Sequence, residues 1–523
     1  VTRTTEGLTV RGGDEVISTE ANTRSPVGRR RWFALFTALA CTVFGSRLII
    51  VSAFSSSVPL LDQWDAEGQA LYSPYLKGTL SFADLVASHN GHRILITRLV
   101  ALSHLEMAGE WNTRLEMIFG AAVLTALVTL LAALLIPLVA PHLQVLLTCF
   151  VALIFAFPID FENTVWGFQS QVYLSLFFGV LAVAAFSTAP AFSLRWFAGL
   201  SAAILSYFTF ATGVATLPAA ATLVALQIVT NSRKRSTREI AAVLLLASIA
   251  VAVTAWGAGS AKSMATPAGF VAGLGIFAAL TIAGGIPIAL YCRHILKTRP
   301  SISDGAWVVL GISCWVTIQL VLFAYGRGSL VAPRYLDVVL LVYPMAFVSI
   351  FALWDRARGA EVSPRVQRGP VFWVFAVAAA FTVAGCVSVL ACSYWSKAAD
   401  QQTANVRAYL ATGDLKQLKE RGSANHGVTL AHPYPERQAQ VLGDPDLRAI
   451  LPPDIRPADA DNRVVRSHLL LRGAPAAATA TVVRSFLTGG PAFLAIGVGL
   501  FFGVGTARGL VAPASNLSDS TSG

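Results

Sequence analysis

Residues 60–69 read Leu60-Leu61-Asp62-Gln63-Trp64-Asp65-Ala66-Glu67-Gly68-Gln69 and follow directly on a long apolar run. Asp62 and Asp65 are three apart, so on one helical turn they share a face. A carboxylate held at a membrane edge can take a proton from a hydroxyl or bind a divalent cation. A solvated loop with ordinary acids is the plain alternative. The abrupt change from apolar to acidic, with Trp64 at interface depth, favours chemistry.

Three further segments carry reactive or recognising side chains. Ser88-His89-Asn90-Gly91-His92-Arg93 holds two of the chain's eight histidines. His89 and His92, three apart, could share a helical face, and Arg93 could grip a phosphate in two-pronged fashion. An interfacial helix with polar anchors is the alternative. The segment from Pro158 to Gln171 includes Asp160, Glu162, Asn163, Trp166 and Gln169. Acids and amides that bond hydroxyls, beside an aromatic face, suit a sugar or its acceptor; an aromatic belt with polar caps is the alternative. Arg327, Arg334 and Tyr335 lie in Tyr325–Asp337, and Lys262 in a shorter loop. Cations there suit a lipid-linked phosphate, or a headgroup bound without chemistry. No P-loop, HExxH or GxGxxG motif occurs, which disfavours a nucleotide-driven pump and a zinc hydrolase.

The elements that must position these residues are membrane helices. The 523 residues are 55% hydrophobic and only 13% charged, with a mean hydropathy of +0.63, whereas soluble domains carry about 25% charge. Lipid solvates apolar helix faces that water would not. Twelve apolar segments of near-spanning length can be read, at roughly 32–54, 115–136, 142–157, 172–187, 195–211, 213–229, 240–257, 268–290, 306–325, 336–353, 371–393 and 485–507. The net charge of +11 is placed as cytoplasmic loops require. Arg29-Arg30-Arg31, Arg233-Lys234-Arg235, Arg293 to Arg299 and Arg356 to Arg368 all fall on one side if the spans alternate. The expectation is an all-α bundle with both termini inside. Residues 1–31 would form a disordered tail, 32–393 the membrane domain with an outer loop at 55–114, 394–484 a small, mainly helical outer cap, 485–507 the last span and 508–523 a second tail. The six cysteines lie in or beside apolar runs and show no CxxC pair, so they read as small buried residues rather than a disulfide framework.

In this layout the chain resembles the GT-C class of membrane glycosyltransferases, which have many spans and an acidic motif in the first outer loop. Asp62-Gln63-Trp64-Asp65 sits where that class carries its acids, and Arg334-Tyr335 looks like the Arg-Tyr pair at the start of a late span. His89-Asn90-Gly91-His92-Arg93 and Leu442-Gly443-Asp444-Pro445 through Pro453 are similar to segments of bacterial membrane proteins with this arrangement. The resemblance implies a bacterial cytoplasmic membrane, a polyprenyl-phosphate-sugar donor and an envelope glycan, lipid or protein acceptor, with no nucleic acid. It implies Asp65 or Asp62 as the base. Arg334, Tyr335, Arg327, His92, Arg93 and Lys262 would face the donor phosphate, and His89, Asp160, Glu162, Asn163, Trp166 and Gln169 the sugar or acceptor. The acids are spaced D-x-x-D rather than D-x-D, so a divalent cation at Asp62 and Asp65 is optional in this reading. Two other classes compete: a transporter or flippase, which would place ionisable residues mid-span, and a non-catalytic envelope protein. The spans are nearly charge-free apart from Arg47.

Overall fold

The computed structural model describes residues 26–259, 263, 265–357, 368–419 and 428–506. Lys262 and the tail at 508–523 lie outside the described residues, as does most of the tail at 1–31. The chain is an all-α bundle. Its principal helices are α1 (Pro26–Phe54), α2 (Leu95–Ala108), α3 (Thr113–Leu135), α4 (Gln144–Ala156), α5 (Phe161–Val165), α6 (Ser170–Thr188), α7 (Leu194–Tyr207), α8 (Thr216–Val229), α9 (Thr237–Ala258), α10 (Pro267–Thr298), α11 (Ala306–Arg327), α12 (Val342–Ala357), α13 (Gly369–Thr412), α14 (Pro435–Gly443) and α15 (Ala476–Thr506). Among the described residues, ten helical segments are long and apolar enough to cross a membrane. The segments expected at 142–157 and 195–211 form helices of 13 and 14 residues. Pro141 and Pro158 bracket the first, and the second breaks at Phe208 before a 3₁₀ turn at Ala211–Ala215.

The apolar windows of α9, α10, α13 and α15 are at most 22% buried, whereas the segments Gly167–Thr188 and Pro333–Ala357 are 78% buried. The first group presents apolar side chains outward, as lipid-facing helices do, and the second forms the centre. The last long helix returns to the first: α15 runs antiparallel to α1, with Gly490 against Ile49 and Gly45, and Gly497 against Thr42 and Ala38. A β-carbon at Gly497 would collide with the α1 backbone and one at Gly490 would press tightly against it, so small residues seven apart let the two helices touch.

Two stretches nearly 300 residues apart in sequence build one cap. Val58, Trp64, Leu71, Tyr72, Leu105 and Trp111 share an apolar core with Val406, Val441, Leu447, Ile450 and Val465. Polar seams close it. Trp111 N–H donates to the Ile450 carbonyl at 2.7 Å, Asn462 Nδ2 to the Gly109 carbonyl at 3.0 Å, and Arg456 pairs with Glu110 at 2.8 Å. The domain expected at 394–484 is therefore half of a composite layer. Nor does it start afresh: α13 is a single 44-residue helix, roughly 66 Å long at 1.5 Å per residue, about twice the hydrocarbon thickness of a bilayer. Likewise α15 begins at Ala476, nine residues before the apolar run that announces it.

Candidate functional site

The first outer loop folds into a π-helix, Trp64–Tyr72, just after Asp62. Leu61 immediately precedes Asp62 and has φ 48°, a left-handed conformation that costs a branched side chain energy. The bend is held from both sides: Trp166 Nε1 donates to the Leu60 carbonyl at 3.2 Å, and Leu60 N–H donates to Gln63 Oε1 at 3.2 Å. The result turns Asp62 and Asp65, both half-buried, toward different partners. Asp62 Oδ2 accepts a long contact from Asn90 Nδ2 at 3.4 Å. Asp65 Oδ2 lies 3.3 Å from His432 Nε2 and 4.0 Å from Arg437, while its Oδ1 has no hydrogen-bond partner. Burial pushes the Asp65 carboxyl up, but His432 and Arg437 outweigh it and the net shift is downward. Burial likewise lowers the His432 imidazole, yet Asp65 and the Tyr434 carbonyl raise it overall. The contact between the two joins the π-helix to the cap.

His89 and His92 do not share a helical face. Asn90 and Gly91 have φ 46° and 83°, and Ser88↔Arg93 and His89↔His92 pair across a two-residue hairpin. Asn-Gly is the dipeptide that tolerates both left-handed positions of such a turn. The ribbon sends neighbouring side chains opposite ways. Burial, with opposition from Asp62 and Asp65, lowers the His89 imidazole. His92 stacks on Phe210 at 4.7 Å, and its Nδ1 accepts from Ala211 N–H at 3.2 Å. Burial, then Arg327, His89 and Arg334, push it down to about 3. His92 is a neutral imidazole beside two arginines and supplies no positive charge of its own. Arg93 faces away: it lies 3.9 Å over the Trp256 ring and donates to the Val86 carbonyl at 2.9 Å.

The segment 158–171 is scaffold. Asp160 is fully buried and pairs with Arg47 at 2.5 Å, and it also accepts from Tyr173. Arg47 donates further to the Phe155 and Phe157 carbonyls, each at 3.1 Å, and to Thr164. One guanidinium thus satisfies the end of α4 and the turn into α5, whose carbonyls have no helical partner. Asn163 donates to Asp337 at 2.7 Å and to the Arg334 carbonyl at 2.9 Å. Trp166 is buried against Phe168 and Trp395, and Gln169 is buried too. Asp160, Asn163 and Trp166 are engaged within the folded chain, whereas the buried Gln169 Oε1 has no hydrogen-bond partner. Glu162 accepts from Arg334 Nη1 at 2.6 Å. Tyr335 is buried and stacks on Phe323 at 4.4 Å. Trp64 is buried edge-on against Trp111 at 5.4 Å, so it too is core rather than a sugar platform.

What converges is a strip. His432 contacts Asp65, Asn90 contacts both Asp62 and His89, and Arg334 pairs with Glu162, while the charge of Asp62 acts on His89 and those of Arg327 and Arg334 act on His92. Sequence reading overlooked His432 and Arg437, which sit in and beside a Pro-rich stretch, His432-Pro433-Tyr434-Pro435. A histidine between turn-forming residues in the cap was the one available signal. Among the described residues, no three His, Cys, Asp or Glu side chains converge as metal ligands. Two apolar cavities, of about 330 Å³ beside Cys292 and Cys314 and about 450 Å³ beside Thr42 and Cys149, lie within the bundle away from the strip.

Fold and site define a class: an all-α polytopic helical protein of membrane type whose polar strip lies where the bundle meets a composite cap. No protein-family profile matches the chain, and no curated protein and no solved structure matches it either.

Proposed function

We propose that this chain is a glycosyltransferase that moves a sugar from a polyprenyl-phosphate donor to an envelope acceptor at the outer face of a bacterial cytoplasmic membrane. The observation that carries the reading is the strip itself: a loosely held carboxylate, Asp62, electrostatically linked through His89 and His92 to Arg327 and Arg334. Such a transfer needs a base at one end and a cationic seat for the leaving phosphate at the other. The acceptor oxygen bonds to the anomeric carbon as its proton passes to Asp62. The bond from that carbon to the phosphate oxygen breaks, and the phosphate leaves with the electron pair toward Arg334 and Arg327. Asp62 suits the base role better than Asp65, whose charge is engaged by His432.

Arg334→Ala is expected to lower transfer from a polyprenyl-phosphate sugar by roughly a hundredfold or more, the scale of losing one preorganised donor at a developing anion. Arg334→Lys should recover part of it. The assay is turnover of radiolabelled donor by purified protein in lipid nanodiscs. Unchanged turnover by a folded Arg334→Ala protein removes the phosphate seat and with it the reading.

The proposal includes twelve membrane crossings with both termini cytoplasmic, the short helices α4 and α7 crossing within the shelter of their neighbours. Reporter fusions at residues 234 and 430 should then report opposite sides. The same side for both is incompatible with this arrangement.

The buried Arg47–Asp160 pair is the feature a transporter would use, since ionisable groups inside a bundle commonly mark ion pathways. In this chain the guanidinium is satisfied by carbonyls, a carboxylate and a hydroxyl, which favours a fixed brace.

A further inference from the structure

Behind the strip, on the opposite side of the π-helix, lies a second pair of acids. Glu67 and Glu116 are 3% exposed each, and both accept from one side-chain amide: Gln63 Nε2 is 3.1 Å from Glu67 Oε2 and 2.9 Å from Glu116 Oε2. The amide cannot flip, because Gln63 Oε1 accepts from Leu60 N–H. Trp111 Nε1 donates to Glu67 at 3.1 Å. Among the described residues every donor to the pair is neutral, and neither carboxylate has a Lys, Arg or His within ion-pair distance. Of the elements packed around them, the π-helix contributes Tyr72, which both acids act upon. The 111–113 turn contributes the indole N–H of Trp111, the 167 turn contributes the Gly167 backbone against Glu116, and the cap contributes Val441 against Gly68 and the Trp111 ring. The charged groups beside the start of the π-helix, Asp62 and Asp65, engage Asn90 and His432 instead. Independently of this geometry, Glu116 Oε1 is buried and has no hydrogen-bond partner. A bare carboxylate oxygen in that position would bear an uncompensated desolvation cost.

We infer that Glu67 and Glu116 form a proton-binding site: the folded protein keeps at least one proton on the pair, and drawing protons off loosens the π-helix from the head of α3. Two ionised carboxylates around one amide would repel at low dielectric, with no cation to relieve them. Burial raises the Glu67 carboxyl from its ordinary 4.5 to about 7, with Gln63 and Trp111 opposing. The sign follows from linkage. A raised acid binds more protons folded than unfolded, so the contact's stability is full below the ordinary value and falls as pH rises through the folded one. The window is therefore about 4.5 to 7, and the π-helix is tightest on the acid side. This inference does not depend on any sugar chemistry.

The test uses full-length protein in nanodiscs, read by hydrogen exchange of residues 62–76 after correction for intrinsic rates. In the wild type, protection should fall about tenfold or more between about pH 6 and about pH 8.5, the scale of a local opening governed by one titration. Glu67→Gln, which removes the carboxyl raised to about 7, should abolish that dependence. An infrared difference spectrum at about pH 7, wild type minus the Glu67→Gln/Glu116→Gln double variant, should contain a buried protonated-carboxyl band. A flat wild-type profile, an unmoved transition in the folded Glu67→Gln variant, or a missing infrared band each overturns the proton site. Transfer activity enters none of these readouts, so their failure leaves the glycosyltransferase reading standing, and the reverse holds as well.

Discussion

Asp62→Asn protein is expected to fold, to bind donor lipid and to transfer sugar slower than wild type by a factor on the order of 10² to 10⁴, the range that a positioned general base supplies. An amide keeps the shape of the side chain and its contact with Asn90 but cannot take a proton. Asp65→Asn is expected to behave differently. Its carboxylate is held ionised by His432 and Arg437, which makes it a poorer proton acceptor and a better tether between π-helix and cap. Its amide should therefore show a smaller loss of turnover with a looser cap, visible as increased proteolysis between residues 400 and 470. The comparison is made at saturating donor with both variants in nanodiscs. If Asp62→Asn keeps wild-type turnover, the base lies elsewhere. If Asp65→Asn alone is dead, the two carboxylates exchange roles.

Arg47→Ala is expected to lower stability by about 3–5 kcal/mol, the cost of leaving a buried charge without its partner. Arg47 is completely buried, and its removal takes the counter-charge from the Asp160 carboxylate and a donor from each of the Phe155 and Phe157 carbonyls. Lysine keeps the charge but lacks the planar fork that reaches several acceptors at once, so Arg47→Lys should recover only part of the loss. Thermal unfolding in detergent, followed by loss of soluble protein on heating, ranks the three proteins. A melting temperature for Arg47→Ala equal to that of wild type would show that the brace contributes nothing. The brace also carries function indirectly. Asp160 leads into α5, α5 carries Glu162 and Asn163, and those two residues hold the side chain and the carbonyl of Arg334.

Apolar runs of bilayer length were enough to announce an all-α membrane-type bundle, because such a run can do little else than form a helix, and low charge leaves no soluble alternative. The order of residues also placed the acids of the first outer loop at a helix end. It contained the Asn90-Gly91 hairpin as well, a local signal that a helical reading of His89 and His92 passed over. Local backbone preference was sufficient there, since only two left-handed positions close that turn. Which polar side chains remain at a site was settled only by packing in three dimensions. Asp160, Asn163, Trp166 and Gln169 read in one dimension like a sugar pocket, and Asp62 and Asp65 read like equals. Packing buried the first four, committing Asp160 to Arg47, Asn163 to Asp337 and Trp166 to Trp395, and gave Asp65, but not Asp62, a histidine from the distant cap. It also brought Glu67 and Glu116 to one amide. The physical reason is common to all of these cases. A polar side chain is committed by whichever donor or charge shares its low-dielectric surroundings, and in a bundle of long helices that neighbour is set by helix packing rather than by distance along the chain.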